Sequence, residues 1–286
     1  MIMILNIRDL KVQLSNKTIL NFDNSEIEVN QGDKVAILGE NGAGKTTLIN
    51  TILGEIMPTS GEITTSFNTN EVGVVFQQNN YSDLIKVEEL IRLVFPTWGN
   101  EQVAELLSTY QLTNLQKSYV KDLSTGEQQR LTLGLVLNQN KTIYFFDELT
   151  SGLDAFKRGQ LLKIMKTKTQ KATIFNISHY FEEINDWATK VLIISHGALV
   201  FYGSVPIFLT KYKHVIAIKT TTANIGVKNI EEPIATGDGY IYIVRTNDKK
   251  NQITAWLLRN KVKYTTIIPD IYTCYLQALA EEGKNN

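Results

Sequence analysis

Runs of apolar residues alternate along the chain with segments in which apolar residues recur every three or four positions. Strand-like runs are DKVAILG (33–39), EVGVVFQ (71–77), KTIYFFDE (141–148), KATIFNISH (171–179) and KVLIISHGALVFYG (190–203). The near-continuous apolar run at 141–148 is typical of a strand buried on both faces. Helical spacing occurs in KTTLINTIL (45–53) and EQVAELLSTYQL (101–112). Because strands alternate with helices, the pattern predicts an α/β fold with a mainly parallel core sheet.

The two ends of the chain have a different pattern. MIMILNIRDL is apolar, but it is too short for a signal peptide and ends in charge, so it predicts a first β-strand. After about residue 212, HVIAIKTTT and GYIYIVRT alternate as half-exposed strands do, and NQITAWLLRN and DIYTCYLQALAEE have helical spacing around a strand, KYTTII. We therefore predict a main domain at 1–212 and a small C-terminal α+β accessory domain at 213–286.

Composition narrows the classes of partner. Lys plus Arg and Asp plus Glu both total 29, so the formal net charge is zero. A neutral chain argues against bulk electrostatic binding to nucleic acid, and no nucleic-acid partner is expected. The single cysteine, Cys274, excludes an internal disulfide and favours a reducing, intracellular compartment. No stretch approaches the roughly 18 uninterrupted apolar residues of a spanning helix, so the chain is not expected to cross a membrane.

The stretch GENGAGKT lies between a predicted strand and a predicted helix. It fits the pattern G-x-x-x-x-G-K-[ST] through Gly39, Gly44, Lys45 and Thr46. Glycines let backbone N–H groups point at phosphate oxygens, Lys45 can reach the β- and γ-phosphates, and Thr46 can place its hydroxyl on Mg²⁺. A glycine-rich turn with an incidental lysine is the alternative. The flanking elements favour a nucleotide site.

Two acids follow the buried strand at 141–148. Asp147 at a strand end can hold the Mg²⁺ shell, and Glu148 is then placed to orient or deprotonate the attacking water. Alone, such a pair is often only the chain reaching solvent. Downstream of a phosphate loop, it favours a catalytic interpretation.

Six motifs in order resemble the nucleotide-binding domain of ABC ATPases, over about residues 4–210. GENGAGKTT looks like the Walker A loop, VVFQQ like the Q-loop, LSTGEQQR (123–130) like the signature motif, IYFFDE like Walker B, SGLD (151–154) like the D-loop, and NISH like the switch. The resemblance implies a P-loop NTPase fold of ABC type, with an antiparallel β subdomain and a helical subdomain at about 79–136.

The resemblance also implies ATP and Mg²⁺ as cofactors and assigns residues to them. The implied catalytic residues are Glu148, His179, Gln77 and Lys45, and the implied metal site is Thr46, Gln77 and Asp147. The implied ATP-binding residues are Gly39, Glu40, Asn41, Gly42, Ala43, Gly44, Lys45, Thr46, Thr47, Ser124, Gly126 and Glu127. Taken alone, Gln77 and His179 are ordinary polar residues at strand ends, and His196 and His214 keep a structural interpretation.

A second phosphate site in one chain has an explanation in this resemblance. In the family, two such domains pair head to tail, and Walker A of one and the signature of the other clamp the same ATP. Ser124 Oγ and the Gly126 N–H then hold the γ-phosphate that Lys45 of the other subunit neutralises. The partner is a second ATPase subunit, identical or related, with Asp154 at the interface.

Two features depart from the family pattern. The signature usually reads LSGGQ, but Thr125 replaces the first Gly and Glu127 replaces Gln, which puts rate and ATP affinity in doubt. Many members stack the base on an aromatic residue before Walker A, where this chain has Leu14, which offers no π-face. GTP is therefore a possible substrate, and Phe22 is the alternative stacking residue.

The resemblance implies an energy-supplying subunit bound to an integral membrane transporter subunit at the cytoplasmic face of the cell membrane. A soluble ABC ATPase in translation, repair or cofactor assembly is the alternative. The end of the chain resembles ATPases of bacterial ABC-2 exporters, although Ile271 and Tyr275 replace commoner residues. It thus implies export, of peptides, toxins or antibiotics. Tyr81, Leu84 and Trp98 are candidate contacts with the membrane subunit, or plain core.

Overall fold

The computed structural model describes residues 2–76, 81–82, 84–150, 153–178 and 180–285. Its strands are β1 (Met3–Leu14), β2 (Lys17–Asn21), β3 (Glu26–Asn30), β4 (Lys34–Leu38), β5 (Ser60–Thr65), β6 (Val72–Val75), β7 (Ile143–Asp147), β8 (Thr173–Ile177), β9 (Lys190–Ser195), β10 (Ala198–Ser204), β11 (Ile216–Thr220), β12 (Ile234–Thr236), β13 (Gly239–Val244) and β14 (Tyr264–Ile267). Its helices are α1 (Lys45–Ile52), α2 (Val87–Val94), α3 (Asn100–Thr109), α4 (Thr125–Leu137), α5 (Ala155–Lys168), α6 (Phe181–Asn185), α7 (Val205–Lys211), α8 (Asn247–Arg259) and α9 (Ile271–Asn285).

A large mixed sheet organises the first two-thirds of the chain, in the order β3-β1-β2-β10-β9-β4-β8-β7-β6, with β5 paired to β1. The five strands from β9 to β6 run parallel, and those around β1 pair antiparallel. Every residue of β7 and β8 is buried, because helices or the antiparallel strands cover both faces. The predicted α/β fold, with a mainly parallel core and an antiparallel β part, is confirmed.

The apolar run at 190–203 forms two strands, where the pattern alone indicated one. Strands β9 and β10 pair antiparallel around His196 and Gly197, whose φ angles are 47° and 83°. Two consecutive residues at positive φ are the geometry of a tight hairpin turn. His196 and Gly197 are a turn signal, but the apolar residues on both sides make the segment look like one continuous strand.

Helices α2, α3 and α4 pack together and against the core sheet. Their buried leucines and valines form one cluster with Tyr144 and Phe146 of β7. Space beside this cluster is tight, because a Cβ on Gly73 of β6 would lie 2.8 Å from the Tyr144 ring and 2.9 Å from Val136 of α4. The helices occupy the region given above to a helical subdomain at about 79–136, and this division of the chain stays a prediction.

The C-terminal third contains a second sheet, in the order β12-β13-β11-β14. Helix α8 covers one face of this sheet, and α9 covers the other through Tyr272 and Leu276. Helix α9 also packs into the first part of the chain, because Ile271, Cys274 and Tyr275 share a cluster with Leu38 of β4 and Ile193 of β9, among others. The boundary near residue 212 stays a prediction, and α9 joins the regions on its two sides.

Candidate active site

The loop between β4 and α1 is wrapped tightly by glycines whose backbone no other residue adopts easily. Gly39 has φ of 155°, and a Cβ there would overlap the Ile194 carbonyl oxygen. Gly44 has φ of 105°, and a Cβ there would lie 2.5 Å from Leu20 Cδ2. Gly42, at φ of 80°, has open space around it. The loop is therefore pinned at both ends and open in the middle, where its N–H groups can face phosphate.

Lys45, the first residue of α1, is folded back onto this loop. Its Nζ donates hydrogen bonds to the Gly39 carbonyl at 2.8 Å and to the Glu40 carbonyl at 2.9 Å. Burial lowers the pKa of the ammonium, and the nearby Glu148, Asp147 and Glu40 oppose that shift. A buried cation that donates to neutral backbone carbonyls can exchange them for phosphate oxygens.

Thr46 and Asp147 meet at the beginning of α1 and the end of β7. The Thr46 hydroxyl donates to Asp147 Oδ2 at 2.7 Å, and the Asp147 residue is buried. A hydroxyl and a carboxylate are hard oxygen ligands of the kind that Mg²⁺ takes together with phosphate oxygens. The chemistry of the pair fits Mg²⁺, and its role as a metal site stays a prediction. Among the described residues, no cluster of three His, Cys, Asp or Glu side chains is spaced to hold a metal.

Glu148 follows directly, in a left-handed conformation with φ of 53°. Its backbone N–H donates to the Ile177 carbonyl at 3.0 Å, which ties it to the end of β8. A non-glycine residue at positive φ is an uncommon conformation that turns the chain sharply. Here the turn puts Glu148 on the same cleft as Lys45, Thr46 and Asp147. Glu148 thus lines the cleft beside the residues predicted to hold phosphate and metal, and its role as a water-activating base stays a prediction.

The cleft that these groups line has a volume of about 530 Å³, enough for the phosphates and more of a nucleotide. Asn41, Gly42, Gly44 and Thr47 also line it. Of the other predicted ATP-binding residues in the loop, Ala43 is buried among apolar side chains, Gly39 pins the loop, and Glu40 is exposed and offers its carbonyl to Lys45. The structure brings together Lys45, Thr46, Asp147 and Glu148.

The predicted signature residues lie at the beginning of α4 and do not line this cleft. Ser124 is the N-cap residue, and both its backbone N–H and its hydroxyl donate to Glu127 Oε2, at 2.8 Å and 2.7 Å. Gly126 packs closely on the segment before α5, since a Cβ there would lie 2.8 Å from Leu153 Cδ2. A single chain thus contains the two predicted phosphate sites as separate surfaces.

The structure also describes Asp154 of the predicted D-loop and the two residues considered for base contact, Leu14 and Phe22. Asp154 caps α5 by accepting from the Lys157 N–H at 3.0 Å. Leu14 is partly exposed at the end of β1 and does not line the cleft, whereas Phe22 is 1% exposed inside the core. Phe22 is therefore not placed to stack on a base in this cleft, which removes the alternative to Leu14. Ile19 of β2 lines the cleft instead, a position that the sequence analysis missed because a lone Ile in a strand carries no chemical signal.

Several predicted residues lie outside the described part of the chain. They are Gln77, His179, and Ser151 and Gly152 of the predicted D-loop. Their roles stay predictions. His214 is buried with Nδ1 at 3.1 Å from the Tyr212 carbonyl, and His196 forms the β9–β10 turn, as expected for structural histidines.

Comparison with known proteins gives one family throughout. The family model described as ABC transporter matches residues 22–151. A putative ABC transporter ATP-binding protein of Methanosarcina acetivorans is 32% identical over 200 residues, which are 64% of this chain and 38% of that protein. The methionine import ATP-binding protein MetN of Carboxydothermus hydrogenoformans is 30% identical over 235 residues, which are 74% of this chain and 69% of that protein.

Solved structures give the same fold. The ATP binding subunit of an ABC transporter superimposes with a TM-score of 0.65 at 21% identity, over 73% of this chain and 93% of that one. A bacterial Atm1-family ABC exporter with ATP bound gives a TM-score of 0.64 at 22% identity, over 73% of this chain and 40% of that one. The chain spans less than two-fifths of the length of the Methanosarcina acetivorans relative.

Proposed function

The chain belongs to the ABC transporter family of ATP-binding proteins, and from that premise we propose that it hydrolyses ATP with Mg²⁺ to power a membrane transporter subunit. The observation that carries this proposal is the convergence of Lys45, Thr46, Asp147 and Glu148 on one cleft. Lys45 binds the β- and γ-phosphates, Thr46 and Asp147 hold Mg²⁺ against them, and Glu148 takes a proton from the attacking water. Each role needs only the side-chain chemistry and position already described.

The cleft alone does not surround a nucleotide, and we propose that a second ATPase subunit completes it. The Ser124 hydroxyl and the first N–H groups of α4 lie on a separate surface of the same chain. In a head-to-tail pair this surface of one copy covers the γ-phosphate bound by the other. Binding of ATP then holds the pair together, and hydrolysis releases it.

The membrane partner accounts for how a chain of this kind drives transport. Within the described residues, no helix is both long enough and apolar enough to span a bilayer. We place the chain at the cytoplasmic face of the membrane, held by a membrane subunit. The segment around α2 is the proposed contact, with Leu84 80% exposed, Tyr81 half-buried with its hydroxyl 2.6 Å from Thr132 Oγ1, and Trp98 stacked on Phe95. Leu84 is therefore the residue of the three best placed to touch a partner.

Export of a peptide, toxin or antibiotic is the proposed direction and cargo class. The support is the order of a short strand, β14, followed by α9, the order that resembles ABC-2 exporter ATPases. The relative from Carboxydothermus hydrogenoformans is named for methionine import, so import is the competing direction. Intact cells that carry an inactive chain should accumulate an exported peptide and should fail to take up an imported one.

Glu148→Gln tests the ATPase proposal directly. The substitution keeps the size of the side chain and removes the base, so ATP should bind and hydrolysis should fall by about 100-fold or more. Because ATP then stays bound, the purified protein should form a stable dimer with ATP and Mg²⁺ but not with ADP. Glu55→Gln, at an exposed position beyond α1, is the matched control. Wild-type hydrolysis in Glu148→Gln would overturn the assignment of the base.

Purification from native membranes in mild detergent tests the partner. A polytopic membrane protein in fixed ratio to this chain supports the transporter. A cysteine at Leu84 should then crosslink to it more efficiently than a cysteine at Trp98. Recovery only with ribosomes or assembly proteins would instead favour a soluble ABC ATPase.

A further inference from the structure

Glu127 accepts hydrogen bonds from Ser124, the residue that is proposed to bind the γ-phosphate in the signature half of the composite ATP site. Its Oε2 accepts both the Ser124 hydroxyl at 2.7 Å and the Ser124 backbone N–H at 2.8 Å. In the proposed dimer, this hydroxyl is to hold the γ-phosphate of the ATP bound by the other subunit. One oxygen of Glu127 therefore already accepts the hydroxyl hydrogen that a phosphate oxygen would have to accept.

The Glu127 side chain also brings a negative charge next to Ser124. The hydrogen bonds from the Ser124 side chain and backbone lower the pKa of this carboxyl, so it is ionised near neutral pH. A γ-phosphate that approaches it meets a like charge at short range. A glutamine at this position would cap α4 equally well, since capping requires only an acceptor oxygen. The negative charge is thus not required by the helix.

A second place for this carboxylate exists one helical turn further along. Arg130 is the i+3 neighbour of Glu127 on α4, and only 8% of it is exposed. Its Nε is buried without a hydrogen-bond partner among the described residues. A buried N–H without an acceptor is costly, and a carboxylate oxygen that reached Nε would relieve the cost.

The surroundings of Arg130 favour an anion. It lines a cavity of about 220 Å³ between α3, α4 and α5, together with Lys157, Gln160 and Lys163, and no described carboxylate lines that cavity. Lys157 also forms an ion pair with Asp154, which does not line the cavity, with Nζ 3.2 Å from Oδ2. Arg130 and Lys157 already attract Glu127 electrostatically and contribute to its lowered pKa.

We infer that Glu127 is a two-position latch on the signature half-site, which sets how much ATP is needed to pair two subunits. In one position it holds Ser124; in the other it turns toward Arg130 and Lys157 and leaves the Ser124 hydroxyl for the γ-phosphate. This inference rests on the proposed function, because it needs the composite site. It assigns Glu127 as a positioning residue, since it acts through Ser124.

The test compares Glu148→Gln with Glu148→Gln/Glu127→Gln. The concentration of MgATP for half-maximal dimerisation, measured by analytical ultracentrifugation, should fall about tenfold in the double variant. Binding of ATP to the monomer and the thermal midpoint without nucleotide should stay the same, because α4 keeps its cap. Since the effect is a repulsion between exposed charges, the difference should shrink as salt rises from about 0.05 M to about 0.5 M.

Lys157→Gln tests the second position, because it weakens the cationic surroundings without burying a new group. It should raise the ATP threshold when Glu127 is present and leave it unchanged when Glu127→Gln is present, a coupling that a structural role for either residue does not give. Equal thresholds with and without Glu127→Gln would overturn the latch and leave the proposed function intact. A change in the MgATP concentration for dimerisation that is accompanied by a loss of thermal stability would also overturn the latch. If ATP pairs neither variant, the composite site itself is wrong.

Discussion

Thr46 Oγ1 and Asp147 Oδ2 lie 2.7 Å apart, although 101 residues separate them in sequence. The contact joins the beginning of α1 to the end of β7, and it exists because β4, β8 and β7 are adjacent parallel strands whose carboxyl ends meet at one edge. A hydroxyl and a carboxylate held together at the edge of a parallel sheet are positioned before Mg²⁺ arrives. The proposed metal site therefore depends on β4, β8 and β7 keeping their register, because this register holds Thr46 beside Asp147.

Asp147→Asn should separate metal binding from nucleotide binding. The amide keeps the hydrogen bond with Thr46 but removes the charge that attracts Mg²⁺, so the Mg²⁺ concentration for half-maximal ATPase should rise about tenfold or more. Binding of ATP without Mg²⁺ should not weaken, because a negative charge near the phosphates is removed. Titration of ATPase activity with Mg²⁺ measures the first effect, and calorimetry in a chelator measures the second. An unchanged Mg²⁺ requirement would contradict the assignment.

Two alanine substitutions in the phosphate loop should differ sharply in their effects on stability. Gly39→Ala places a Cβ inside the Ile194 backbone oxygen, which cannot move cheaply, so the free energy of unfolding should fall by about 3 kcal/mol. Gly42→Ala has open space and carries only the cost of positive φ, about 1 kcal/mol. Urea denaturation measures both. Equal losses would show that the contact with Ile194 is unimportant.

The fold and the phosphate half of the site were predictable from local patterns. The continuous apolar run at 141–148 predicted β7, and the motif G-x-x-x-x-G-K-[ST] predicted that Lys45 and Thr46 lie where a loop passes into a helix. Both signals are contained in short stretches of sequence. The S-x-x-E spacing of Ser124 and Glu127 is itself a helix-capping signal that the sequence analysis did not use, whereas the proximity of Glu127 to Arg130 and Lys157 depends on how α4 and α5 pack. Ile19 was missed for a similar reason: only the pairing of β1 with β2 brings an ordinary strand residue to the cleft.

Selectivity for the base should be weak. Among the described residues that line the cleft, none is aromatic, and Ile19 can give only apolar contact. The dissociation constants of MgATP and MgGTP should agree within about threefold, as measured by calorimetry. Ile19→Tyr should tighten both, because Ile19 lines the cleft and a stacked ring gains about 1 kcal/mol with either base. A strong preference of the wild-type chain for ATP would mean that another group reads adenine.

Lys34 should make stability rise with pH on the alkaline side. Burial lowers the pKa of this ammonium to about 8, and its Nζ donates to the Thr169 and Ala172 carbonyls. Since the unfolded chain keeps the ordinary, higher pKa, the folded state loses its proton first, and the penalty for burying the charge fades above pH 8. Lys34→Met lacks this penalty at every pH. The stability of wild type relative to the variant should therefore increase from pH 8 to pH 10 in urea titrations, and a constant difference would contradict the shift.

Helix α9 should stabilise the segment that begins just after the predicted switch residue, His179. Phe181 at the start of α6 packs on α9, with its ring 5.1 Å from the rings of both Tyr272 and Tyr275. The Ile271 N–H also donates to Asn185 Oδ1 at 3.4 Å, at the end of α6. A helix of five residues has little stability of its own, so its position depends on these contacts.

Tyr275→Ala should therefore cost about 3 kcal/mol of unfolding free energy and increase amide hydrogen exchange in α6 before that in β8. Tyr275→Phe keeps the ring and should cost less than about 1 kcal/mol. Ile268→Ala, at a side chain that is 77% exposed, is the control in the same region and should change neither measurement. If α6 exchanges no faster in Tyr275→Ala than in wild type, α9 stabilises the chain without supporting the switch segment. Faster exchange confined to α6 would mean that α9 supports the segment next to the predicted switch residue through this contact.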